Sequence, residues 1–213
     1  MQGFVAYDAK QNAVVVAFRG SVDTKSWIAD LDAPQMAYPK CSGCMVHVGF
    51  YKAYQEVSAE IKAQVQKILN KYRTAQIYVT GHSLGGAMAV VASLDLKSTF
   101  GKLNQFYTYG QPRVGNQPFA DYFASQITEG YRVIHYADIV PHLPPLTLLN
   151  YRHGGTQIWY TEDMLKYQVC SAEDPKCMDS IPQSQLSASD HSHLQYEKLP
   201  TSIFQMLGLR RSS

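Results

Sequence analysis

The chain has 213 residues, 46% of them hydrophobic, and a formal net charge of +2, which suits one well-buried core with near-balanced charge. No basic stripe marks a nucleic-acid partner, and no apolar run is long enough to span a bilayer. The amino terminus, Met1 to Val5, lacks a basic region followed by a long apolar stretch, so no signal peptide is visible; the chain either stays inside the cell or is a mature or truncated form.

In chain order, Phe4 to Tyr7 and Ala13 to Phe18 read as two strands joined by the polar turn Asp8 to Asn12. Arg19-Gly20-Ser21 follows, then a segment that sets Trp27, Ile28 and Leu31 among polar residues. Cys41 and Cys44 lie in Cys-Ser-Gly-Cys, and Cys170 and Cys177 bracket a polar loop containing a proline. Two short-range pairs in loops look like disulfide staples, which implies an oxidising compartment and export. The competing reading is a metal site on Cys41, Cys44 and His47, but a single Cys-x-x-Cys without a matching second pair is weak evidence for zinc.

From Phe50 to Tyr72, apolar residues recur in steps of three and four, at Phe50, Tyr54, Val57, Ile61, Val65, Ile68 and Leu69. That spacing predicts an amphipathic helix. A strand, Ile77 to Thr80, then runs into Gly81-His82-Ser83-Leu84-Gly85-Gly86 and a small-residue helix, Ala87 to Leu96. Strand, Gly-x-Ser-x-Gly and helix in that order form a nucleophile elbow, the turn that exposes the serine of a serine hydrolase. The new helix aims free backbone N–H groups at the same spot, which suits a developing oxyanion. The pattern alone can also arise as a Gly-rich turn around a structural serine, so its partners matter.

Phe106 to Tyr109 and Tyr131 to Tyr136 read as further strands and Phe119 to Ile127 as a short helix. The alternation predicts an α/β fold with a mostly parallel sheet and helices on both faces, in a single domain spanning 1–213. Ligands on such sheets bind beyond the carboxyl ends of the strands, where Ser83 and Asp138 could meet. A serine nucleophile needs a histidine base and a carboxylate to orient it, in the chain order Ser, Asp or Glu, His. His142 is too near Asp138 in sequence, and His153 sits in a predicted hairpin; His191 and His193 share one late loop, and spacing does not choose between them. His82, inside the elbow, is expected to buttress the turn.

Several motifs together resemble the class 3 lipase family, the fungal-type triacylglycerol lipases and related feruloyl esterases. They are Val16-Ala17-Phe18-Arg19-Gly20-Ser21, Trp27-Ile28-Ala29-Asp30-Leu31, the Cys-x-x-Cys followed by His47-Val48-Gly49-Phe50, and the elbow. Tyr107 to Asn116 with its Gly-Gln-Pro-Arg-Val-Gly-Asn run, Asp138-Ile139-Val140-Pro141 with Leu143-Pro144-Pro145, and Tyr151-Arg152-His153-Gly154 complete the set. The resemblance implies an α/β-hydrolase fold, Ser83 as nucleophile and Asp138 as orienting acid. It also selects His193, because His193-Leu194-Gln195-Tyr196 fits the family's His-Leu-x-Tyr and His191 does not. Ser21, through its N–H and side chain, and the Leu84 N–H are implied as the oxyanion hole. The family's usual amino-terminal segment, including a helix, is missing ahead of Phe4.

Residues 22–32 place Trp27, Ile28 and Leu31 on one helical face, the pattern of a flap that covers a site in water and turns its apolar side to lipid. The expectation is a secreted, lid-gated lipase acting on acylglycerols at an oil–water interface, touching lipid only peripherally. A feruloyl or other soluble-ester esterase is the alternative within enzymes, and a non-catalytic lipid-binding module the alternative outside them. Nothing in the chain calls for a cofactor or a metal.

Overall fold

A computed structural model describes residues 3–21, 26, 28 and 31–192. Eleven strands form two sheets among the described residues. The larger sheet contains β1 (Gly3–Asp8), β2 (Ala13–Phe18), β5 (Gln76–His82), β6 (Gln105–Tyr109), β8 (Gly130–His135), β10 (Thr156–Tyr160) and β11 (Tyr167–Cys170), in the spatial order β1-β2-β5-β6-β8-β10-β11. Its five central strands are parallel, and β1 and β11 close the two edges antiparallel. The smaller sheet joins β3 (Gln35–Ala37), β4 (Met45–His47), β7 (Gly115–Asn116) and β9 (Tyr151–Arg152).

Helix α1 (Val48–Lys71) buries Phe50, Tyr54, Ile61 and Val65, the face its sequence period marks. Its start is set by His47, whose Nδ1 accepts from the N–H groups of Gly49 and Phe50. Helix α2 (Leu84–Phe100) is apolar around most of its circumference and correspondingly buried on nearly every side. Gly101 ends it at φ +71°, a left-handed C-cap. Helix α3 (Gln117–Gln126) is capped by Asn116, whose side chain accepts from the Phe119 N–H. These helices share one core with Val14, Val16 and Phe18 of β2, Ile77 and Val79 of β5 and Phe106 of β6.

Tyr107, which alternates with Phe106 on β6, belongs to a second cluster rich in tyrosine, with Tyr131 and Val133 of β8, Ile158 and Tyr160 of β10, and Met164. Disulfides join Cys41 to Cys44 and Cys170 to Cys177. With both thiols of the first pair bonded and His47 capping α1, the metal reading of that motif has no free thiolate to use.

Candidate active site

Strand β5 runs straight into Ser83, which holds φ +58° and ψ −130°. That backbone is sparsely populated for a residue with a side chain and is worth about 1–3 kcal/mol of strain. Two flanking glycines permit it. A Cβ on Gly81 would stand 2.2 Å from the Gly85 carbonyl oxygen, and one on Gly85 would stand 2.3 Å from the Phe18 oxygen. The second contact brings the end of β2 against the turn. Gly20 is packed so closely there that a Cβ would lie 2.8 Å from the Cβ of Ser83, which carries Ser21 to the edge of the elbow. The Ser83 N–H donates to the Tyr109 carbonyl at 2.9 Å. Leu84 opens α2, so its own N–H has no acceptor within the helix.

Asp138 follows β8 at the same carboxyl edge of the sheet. Its Oδ1 accepts from the Val140 N–H at 2.9 Å. Both of its oxygens lie close to Nδ1 of His191, at 3.0 and 2.9 Å. A carboxylate can only accept, so Nδ1 carries the proton and Nε2 is left with its lone pair, the tautomer a general base requires. Among the described residues the ring on Asp138 belongs to His191, and the expected His193 lies outside them. Local spacing could not show this, because the choice depends on how the late chain is tied to the sheet. Ser187 bridges to Asp138 beside it, its N–H donating to the Ala137 carbonyl at 2.8 Å. That pairing fixes the entry of α4 (Ala188–Ser192) and delivers position 191 to the acid.

Ser83, Asp138 and His191 are all fully buried, at 0% exposure. Ser83 Oγ and His191 Nε2 have no hydrogen-bond partner among the described residues, so no bond joins the two. Catalytic hydrogen bonds of this kind often tighten only with substrate in place. Gly110, at φ +54°, packs against the acid–histidine pair; a Cβ there would meet the His191 ring and Asp138 Oδ2 at 2.7 and 2.8 Å.

The loop that carries Asp138 is anchored by Arg113, the arginine of the Gly-Gln-Pro-Arg run. Its Nη1 donates to the carbonyls of His142 and Pro144 at 2.5 and 3.1 Å. Glu173, from the Cys170–Cys177 loop, grips the same guanidinium with both oxygens at 3.0 Å. Burial and then the Arg113 charge push His142 down to about 4, so its 3.5 Å contact with Asp179 is not an ion pair at neutral pH. His153 is held well below the usual range, first by burial and then by Arg132 and Arg113, and its Nε2–H donates to the Pro141 carbonyl at 2.8 Å. The ring hydrogen-bonded to Asp138 is that of His191, not either of these.

Of the flap residues, Trp27 lies outside the described residues. Ile28 is helical and half-buried, and Leu31 is half-buried against the main core.

A parallel sheet with a strained serine turn, and a carboxylate holding an imidazole at the same edge, defines an α/β-hydrolase. Residues 15–148 match the family model described as Lipase (class 3), and the chain belongs to that family. It is 40% identical over 184 residues to a lipase of Rhizomucor miehei, covering 83% of this chain and 50% of that protein. It is 42% identical over 156 residues to a secreted mono- and diacylglycerol lipase of Fusarium solani, covering 73% of this chain and 46% of the relative. The chain thus spans about half the length of these curated relatives. The solved structure of a triacylglycerol lipase with a serine protease triad at its catalytic centre superposes with a TM-score of 0.83 at 39% identity, over 89% of this chain and 73% of that one.

Proposed function

We propose that this chain is the catalytic part of a secreted, lid-gated lipase that hydrolyses acylglycerol esters through an acyl-enzyme on Ser83. The observation that carries the reading is the buried His191–Asp138 pair at 2.9 Å, on the same sheet edge as a serine held in a strained elbow. His191 Nε2 takes the Ser83 proton as Oγ bonds to the ester carbonyl carbon. Negative charge then gathers on the carbonyl oxygen, beside the Leu84 N–H and the N–H and hydroxyl of Ser21. The imidazolium gives its proton to the departing glycerol oxygen, and the acyl group stays on Ser83. Water, deprotonated by the same nitrogen, attacks the acyl carbon, releases the fatty acid and returns the serine.

The complete burial of all three side chains supports a gate, since an ester reaches Ser83 only when a covering segment moves. Residues 22–32 remain the segment with the composition for it. The names of the curated relatives and the two disulfides support secretion.

The test is turnover of a short-chain triglyceride across its solubility limit, alongside a soluble ferulate ester, with an organophosphonate labelling Ser83. A lipase gives a rate jump as the emulsion forms, and Ser83→Ala abolishes both turnover and labelling. Smooth saturation with preference for the ferulate would favour the soluble-ester alternative, and no labelling at all would reduce the chain to a binding module.

A further inference from the structure

Helix α4, which carries the base, is described over Ala188–Ser192. Two other histidines, each the last residue of a strand, reach its main chain. His82, at the end of β5 and next to Ser83, has Nε2 3.0 Å from the carbonyl oxygen of His191. His135, at the end of β8, has Nδ1 3.0 Å from the carbonyl of Asp190 and Nε2 3.0 Å from that of Glu162. A carbonyl only accepts, so the His82 bond requires a proton on Nε2. A neutral His135 can donate to one of its two carbonyls at a time.

The rings of His82 and His191 also stack, with centroids 4.5 Å apart and planes 28° off parallel. On its other side His82 lies against the turn that leads to Ser21, where a Cβ on Gly20 would be 3.4 Å from its Nδ1.

We infer that His82 is a positioning residue for the base: it grips the His191 carbonyl and stacks on the His191 ring, so that nucleophile, base and oxyanion turn are referenced to one side chain. His135 is the second anchor of the same helix, one residue earlier. Because His82 is covalently next to Ser83, any shift of the elbow carries the base with it. Burial, and then the charge of a protonated His191, hold His82 below its ordinary range, so it stays neutral and keeps its Nε2 donor while its neighbour cycles. The inference rests on the hydrolase reading only for its kinetic arm.

The experiment compares the full chain with His82→Phe, which keeps a flat ring but removes the donor, and with His82→Gln, which restores an N–H at nearly the same reach. Kinetics on a soluble p-nitrophenyl ester are read with backbone amide exchange at residues 187–192. A displaced base costs rate rather than affinity. The expectation for His82→Phe is a kcat lowered at least about tenfold with KM changed less than about threefold, and His82→Gln should recover kcat to within about threefold of the parent. Exchange at 187–192 should accelerate in the phenylalanine variant and return to the parental rate in the glutamine variant.

Parental kcat in His82→Phe, a loss confined to KM, or equal impairment in both variants would overturn the role. If His82→Phe does not fold, the glutamine variant decides alone: a tenfold loss there overturns the inference. If the parent itself neither turns over ester nor labels at Ser83, the hydrolase reading fails, while unchanged amide exchange across the variants would still separately overturn the clamp.

Discussion

At the scale of single residues, the site depends on close approaches that leave no room for side chains. Gly110 combines φ +54° with a Cβ position inside contact distance of both His191 and Asp138. Gly110→Ala should therefore push the pair apart, lowering kcat/KM by about 10–100-fold, because small misplacements of a base are costly. The fold should survive, with a melting temperature only a few degrees lower, about 1 kcal/mol for a strained alanine. Steady-state kinetics and a thermal melt on the same preparation check both halves. Ser21→Ala should keep the fold while kcat falls about 10²–10³-fold, the usual effect of removing one oxyanion donor. Unchanged kinetics would remove Ser21 from the site.

At the scale of elements, the loop after Asp138 is held by a buried arginine whose counter-charge comes from a disulfide-closed loop. The Arg113 side chain is 2% exposed, so Glu173→Ala leaves a guanidinium unpaired in the interior. A broken buried pair of this kind costs on the order of 3 kcal/mol, and differential scanning calorimetry should show the melting temperature falling by roughly 6–12 °C. A change of under about 2 °C would mean that Asp179, 3.8 Å from the same guanidinium, suffices. The sequence made some of this legible and not the rest. The elbow could be read because strand, glycines and helix are contiguous, and α1 because its apolar period is long. Asp138 could be placed because it follows a strand on the reactive edge. The placing of position 191 on the acid was not legible, because it rests on the Ser187 bridge to Asp138 and on carbonyls held by His82 and His135, contacts that span 49 to 109 residues. The Arg113–Glu173 grip was hidden for the same reason, with 60 residues between the partners.

At the scale of the whole molecule, several buried or half-buried histidines have their charged forms disfavoured: His47, His82, His142 and His153. Burial is the first cause in each. His142 shows the sign most clearly, since the unfolded chain takes up its proton near 6.5 and the folded chain resists until about 4. Below the unfolded value the unfolded state binds more protons, so stability falls as pH drops from about 6.5 towards 4. Melting temperatures across that range should decline, and His142→Gln should flatten the slope; a flat profile in the parent would contradict the assignment.

The central claim is that the alcohol of Ser83 is activated by the imidazole which Asp138 holds. Its most direct test is the organophosphonate labelling rate at Ser83 in His191→Ala and His193→Ala, measured side by side. The structure predicts a loss of at least about 10³-fold for the first and a rate within about threefold of the parent for the second. The reverse order would show that the base stands at 193 and that the pair seen at 2.9 Å is not the catalytic one.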